Sequence, residues 1–281
     1  MDLVERLNLL ESVRDWQTLV EELERAIASE RDAAVKASHY LLLGRVLEER
    51  FLQSVKALKF FQEAYKLSPS TLEALERARG VYWELGKAPM VQKLLDIELR
   101  SFTEGPDAVE RLVELGDVLL DAGDLERATA TYAKALGVSN GSSDDARSAL
   151  ADSQLDNESW SNAVAELVAI SAEQEPREAC RTLLRAGRVA HRFGSADADE
   201  LFQRAYEANP LDRQAANLFE GRVVAAGQAE SLEEIQRAYL AQLPPRAKGL
   251  ASFKFGARWL ARHQNQAIGA RWRKLSWPTP T

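Results

Sequence analysis

Residues 123–136 read GDLERATATYAKAL. Behind the Gly123–Asp124 pair, Ala128, Tyr132 and Ala135 stand four and then three residues apart. That spacing stacks side chains on one face of an α-helix. Asn140 follows five residues later, and the set returns elsewhere in the chain. Ala57, Phe61, Ala64 and Pro69 keep the same 4, 3, 5 spacing, as do Ala198, Phe202, Ala205 and Pro210. Leu232, Gln236, Tyr239 and Pro244 keep it with looser residue types. Small residues admit a second helix, the aromatic ring fills the space between the two, and proline ends the pair.

A second periodic set precedes each of these. Gly44, Gly80, Gly116, Ala151, Gly187, Gly221 and Gly256 fall inside candidate helices, separated by 36, 36, 35, 36, 34 and 35 residues. A mid-helix glycine costs about 1 kcal/mol relative to alanine. Its recurrence therefore calls for close approach of a neighbouring helix at a position without a Cβ. Helical signals dominate the whole chain, with segments of about 12–16 residues joined by short connections, the pattern of antiparallel helix pairs.

The pattern resembles the tetratricopeptide repeat (TPR), a helix-turn-helix unit of about 34 residues. The resemblance rests on Leu43-Gly44, Leu115-Gly116 and Ala186-Gly187, on the Gly123-Asp124 turn, and on the small–aromatic–small–proline sets. It covers one solenoid over residues 1–281, with units at about 1–30, 33–69, 70–104, 105–140, 143–176, 177–210, 212–244 and 246–277. The fit is best at 105–140 and 180–212. In the third unit Arg79 replaces the leucine before the glycine, and KAPMVQKLLDIEL at 87–99 lacks the small–aromatic–small set. Glu220 interrupts an apolar column in the seventh. The resemblance implies an all-α fold, an α-solenoid wound as a right-handed superhelix of antiparallel helix pairs. It also implies a concave groove, lined by the first helix of each unit, that takes peptides or proteins.

Composition agrees. The chain has 281 residues, 46% hydrophobic and 28% charged, which suits a stacked core and not a disordered chain. No apolar run approaches the roughly 20 residues of a membrane span, and the acid-bearing N-terminus does not resemble a signal peptide. Cys180 is the lone cysteine, so an intrachain disulfide is excluded and a reducing, cytoplasmic setting is expected. The net charge is −7, unevenly spread: residues 1–234 carry 43 acids and a net −16, while 235–281 have no acid and carry +9.

By the resemblance, four positions on each first helix face the groove, starting six residues before the repeating glycine and stepping 4, 3 and 4. The second unit presents Ser38, Leu42, Arg45 and Glu49, and the third Ala74, Ala78, Val81 and Leu85. The fourth presents Glu110, Glu114, Asp117 and Asp121, and the fifth Asp145, Ala149, Asp152 and Asp156. The sixth presents Arg181, Arg185, Arg188 and Arg192, and the seventh Ala215, Phe219, Arg222 and Ala226. Acidic units thus adjoin an arginine stripe. Two readings stand. One is a ladder of salt bridges between the fifth and sixth units, each worth about 0–1 kcal/mol at a surface. The other is a charge-segregated groove, with acids for a ligand's Lys or Arg and arginines forking onto carboxylate or phosphate. The paired asparagines by which chaperone co-factors of this family hold a C-terminal carboxylate have no counterpart in these columns.

The C-terminal stretch interleaves Arg258, Arg262, Arg271, Arg273 and Lys274 with aromatics including Trp272 and Trp277. It reads as a capping unit, as a protein-docking surface, or as a segment that seats in the acidic groove of a second copy. The −16 charge of the remainder argues against nucleic acid. No phosphate-cradling glycine loop, H-E-x-x-H or nucleophile elbow occurs. GVSNGSS at 137–143 reads as a connector. His39, His191 and His263 are isolated, and Cys180 has no evident partner. No cofactor, metal or catalytic group is expected. The sequence reads as a non-enzymatic scaffold or adaptor for a protein or peptide ligand. The alternatives are a helical-repeat RNA-binding module and an accessory subunit of a larger complex.

Overall fold

The computed structural model describes residues 3–262, which form fifteen α-helices and, among those residues, no strand. The chain divides into two compact units, residues 1–85 and 86–281. The first holds α1 (Leu3–Ser12), α2 (Trp16–Ser29), α3 (Ala33–Glu49), α4 (Ser54–Leu67) and α5 (Leu72–Glu84). The second holds α6 (Ala88–Glu98), α7 (Gly105–Asp121), α8 (Leu125–Val138), α9 (Asp144–Ser153) and α10 (Trp160–Ala172). It continues with α11 (Pro176–Arg192), α12 (Ala198–Ala208), α13 (Arg213–Ala225), α14 (Ala229–Ala241) and α15 (Pro245–Arg262). The boundary falls between α5 and α6, the two helices that the repeat spacing assigns to the third unit.

Local chemistry starts and stops these helices. Asp32 accepts from the backbone N–H groups of Ala34 and Val35 at the head of α3, and Asp212 does the same for Gln214 and Ala215 at the head of α13. Each satisfies donors that the first helical turn leaves open. Pro176 begins α11, where a missing N–H costs nothing. Between α7 and α8 the chain reverses at Gly123, whose φ of 84° is left-handed. The N–H of Asp124 then bonds the Leu119 carbonyl, closing the end of α7.

The repeating glycines carry the pairing. A Cβ on Gly44 would lie 2.5 Å from Phe61 Cε1, and one on Gly187 would lie 2.7 Å from Phe202 Cε1. At Gly116 a Cβ would collide with the ring of Tyr132. The aromatic of each second helix thus lies directly over the glycine of the first, and all three rings are buried. At Gly221 and Gly256 the period persists without this reason, since a Cβ there meets nothing within 4 Å.

The fifth pair departs from the rule. Its periodic position is Ala151, and its first helix, α9, has 10 residues against 17 in α7 and α11. Trp160 at the head of α10 stacks on Phe193, at the end of α11, with centroids 5.3 Å apart and planes 10° from parallel. α9 lies against α7, α8 and α11, and α10 lies against α11, but α9 and α10 hardly touch each other. One buried apolar cluster joins Leu112, Ala135 and Ala146. Another begins at Leu167 on α10 and runs through Leu183, Phe202, Phe219 and Leu232 to Trp259.

Candidate functional site

In the unit formed by residues 86–281, the acid and arginine columns meet on α7, α9 and α11. Arg188 is 6% exposed and forks onto Asp121, Nε to Oδ1 at 2.7 Å and Nη2 to Oδ2 at 3.0 Å. Its Nη1 lies 3.3 Å from Asp117 Oδ2, and Nη2 also donates to Gln214 Oε1 on α13 at 2.9 Å. The Tyr132 hydroxyl donates to Asp117 Oδ1 at 2.8 Å. Arg185 forks onto Asp152, with bonds of 2.6 and 3.1 Å. Arg192 donates to the carbonyls of Asp152, Ser153 and Leu155 at 3.1, 2.9 and 2.6 Å, closing the C-terminal end of α9. Bidentate arginine–carboxylate pairs of this kind are directional and strong.

The electrostatics follow from burial. Desolvation is the largest influence on Asp117 and holds its carboxyl above the ordinary range, although Arg188 pulls the other way. Burial and then Asp117 push the Tyr132 phenol upward, so it stays a donor. Burial opposes the charge of Arg188, but Asp117 and Asp121 outweigh it and keep the guanidinium ionised. Three arginines thus face three aspartates. The cleft among Asp117, Tyr132, Asp152, Arg185, Arg188 and Val189 encloses about 20 Å³, room for about one water molecule.

The columns read from the sequence divide accordingly. Arg185, Arg188, Arg192, Asp117, Asp121 and Asp152 are brought together and bound to one another or to backbone. Arg181, Glu110 and Asp145 are exposed, and all three lie in the N-terminal halves of their helices. Glu114 is half-buried. Asp156 is exposed in the loop after α9; its carboxylate is held below the ordinary range by the hydroxyl and N–H of Ser159 and the N–H of Glu158. The column of the third unit does not face solvent in its first three positions: Ala74, Ala78 and Val81 are buried. Gln214 was invisible to the column reading, because it sits one residue from the expected position, Ala215.

Arg258, expected on a docking surface, is instead buried at 3% exposure. It donates to the Pro210 carbonyl at 2.6 Å and lies 3.4 Å from Glu220, itself 3% exposed. Glu220 accepts from the Tyr206 hydroxyl at 2.8 Å, which in turn accepts from Gln236 Nε2 at 2.7 Å. The acid in an apolar column was the signal for this network, since a buried carboxylate needs a cation. Arg262 ends α15. Arg271, Trp272, Arg273, Lys274 and Trp277 lie outside the described residues, as does His263. Cys180 is fully buried, and burial pushes its thiol well up, away from nucleophilic reactivity. Among the described residues, no cluster of His, Cys, Asp and Glu could hold a metal, and no helix is long and apolar enough to cross a membrane.

No protein-family model matches the chain, and no curated protein matches it. Solved structures do. The chain is similar to the crystal structure of a tetratricopeptide repeat protein from Parabacteroides merdae, with a TM-score of 0.52 and 18% identity over 97% of this chain and 96% of that one. It is also similar to MamA, with a TM-score of 0.42 and 12% identity over 74% and 90% of the two chains. YrrB, a TPR protein with an unusual peptide-binding site, gives 0.40 and 18% over 71% and 98%. The first likeness spans nearly the full length of both chains and agrees with the glycine–aromatic pairing seen at three of the helix pairs. In fold, the chain is an α-solenoid of tetratricopeptide-type helix pairs.

Proposed function

We propose that the protein is a non-enzymatic scaffold that binds a protein or peptide segment on the face shared by α7, α9 and α11. The observation that carries this reading is the reach of Arg188, which touches both α7 and α13 and lines a cleft with α9. First helices of consecutive pairs thus converge on one face. Its C-terminal half is neutralised internally. Its N-terminal half presents Glu110, Asp145 and Arg181 to solvent. A ligand meets those three side chains first, with the acids suited to Lys or Arg and Arg181 to a carboxylate. Arg185, Arg188 and Arg192 set the shape of the face. A cytoplasmic setting belongs to the same reading. So does docking of the basic C-terminal stretch, through Arg262, Arg271, Trp272, Arg273, Lys274 and Trp277, onto acidic helices of a second copy.

The test is an affinity capture from source-cell lysate followed by mass spectrometry. The native chain is compared with Glu110→Arg/Asp145→Arg/Arg181→Glu and with a chain ending at Ala261, which keeps the buried Phe255, Arg258 and Trp259. The expected result is a protein captured by the native chain and lost with the triple variant, whose helical circular dichroism is unchanged. Identical capture by native and triple-variant chains overturns the groove reading, and loss on truncation alone moves binding to the C-terminal stretch.

A further inference from the structure

The fifth helix pair lacks what closes its neighbours. Gly116 receives Tyr132 and Gly187 receives Phe202 across buried positions, but the corresponding residue of the fifth pair, Ala151, is exposed. The aromatic that opens α10, Trp160, is spent on Phe193 of α11. The apolar core reflects this. The cluster containing Ala146 of α9 shares no residue with the cluster that begins at Leu167 of α10. α9 also stops early, two residues after Ala151, whereas α7 and α11 run five residues past Gly116 and Gly187.

Three arginines of α11 occupy that position. Arg192 binds the carbonyls at the end of α9, Arg185 holds Asp152 of α9, and Arg188 reaches Asp117 and Asp121 of α7. Each joins the helix that carries the second cluster to helices that carry the first. Polar contacts thus tie the first helix of the fifth pair to α11, whereas glycine–aromatic packing ties the two helices together within the second, fourth and sixth pairs.

We propose that the fifth pair is a joint inside the unit of residues 86–281, and that Arg185, Arg188 and Arg192 are the latch that holds it shut. With the latch closed, α9 is fixed against α7 and α8, where Ala146 packs with Leu112 and Ala135, and against α11. With it open, α9 detaches as a small cooperative piece while the glycine–aromatic pairs on either side stay formed. Local opening of this kind is expected where few apolar contacts cross a boundary. The Arg188 contacts of the latch are insensitive to salt, because Arg188, Asp117 and Asp121 are largely shielded from solvent. The joint does not rest on the peptide-binding reading: it is a property of the chain alone.

Native-state amide exchange tests it, read by mass spectrometry across urea concentrations below the unfolding transition. In the native chain, α9 should exchange through an opening that exposes less surface than the opening of α11 and α12. Exchange of α9 only through the same global unfolding as α11 and α12 overturns the joint, and this arm requires no variant. For the latch, Arg188→Met should speed exchange in α9 at least tenfold, because the opening of α9 breaks the contacts that Arg188 makes, while α3 and α4 in residues 1–85 keep native rates. Arg188→Lys should fall between, since an ammonium cannot fork onto Asp121. Native exchange in α9 while α12 accelerates through easier global unfolding overturns the latch, as does no acceleration in either. If Arg188→Met does not fold, Asp121→Asn makes the same comparison with a smaller change.

Discussion

Gly116 and Gly221 are both mid-helix glycines, and a methyl group added to each meets different surroundings. At Gly116 it meets the buried ring of Tyr132, whereas at Gly221 it meets open space. Alanine gains about 1 kcal/mol of helix propensity at either site, but overpacking a full core costs about 1–3 kcal/mol. Urea denaturation should therefore show Gly116→Ala losing up to about 2 kcal/mol and Gly221→Ala gaining about 0.5–1 kcal/mol. Losses of equal size would mean that the period, and not the ring, explains both glycines. Asp117 gives a second residue-scale test. Burial raises its carboxyl, so the folded chain holds that proton more tightly than the unfolded chain does. The associated stability is complete below the ordinary carboxylate value of 3.8 and is lost as the pH rises through the raised folded value. Asp117→Asn cannot ionise, so its urea midpoint should gain on the native chain's as the pH climbs above about 4. Parallel profiles would show that Arg188 balances burial, and a variant midpoint that falls behind as the pH climbs would show that Arg188 outweighs it.

Among the elements, α15 is tied to α13 and to the loop that precedes it by a polar interior and not only by apolar contact. Phe255 and Trp259 are buried, yet Arg258 between them holds Glu220 and the Pro210 carbonyl. Removing one member of a buried pair leaves the other charge uncompensated and costs about 3–5 kcal/mol. Arg258→Ala should therefore release α15, seen as early protease cleavage within 245–262 while 105–208 stays resistant. Cleavage at the native rate would place the anchorage in Phe255 and Trp259 alone. This network was half legible beforehand. Glu220 announced itself as an acid in an apolar column, but Arg258 read as one basic residue in a basic stretch. Which face of α15 it occupies depends on how that helix rolls against α13, and sequence spacing does not record that.

For the whole molecule the governing feature is charge. Residues 1–234 carry −16 and 235–281 carry +9, a separation that favours contact between copies. Screening decides its strength, with a Debye length of about 30 Å at 0.01 M salt and about 8 Å at 0.15 M. Light scattering at high protein concentration should give a mass above the monomer's 31.3 kDa in low salt, falling to it in high salt. A monomer under both conditions removes the second copy as a partner. The self-neutralised network on α7, α9 and α11 has already taken three arginines and three aspartates out of that account.

The sequence by itself determined the helix pairs. Residue types at spacings of three, four and about 35 state which positions must be small, which must be aromatic, and where each pair turns. Those are local demands, met within one or two helices. The fate of the charges was decided only by tertiary structure. Arg188 and Asp121 stand 67 residues apart in the chain, and whether they face a ligand or each other depends on the length of α9 and the packing of α11. A charge column on one helix does not disclose what lies across from it, because that neighbour is placed by cores elsewhere in the molecule.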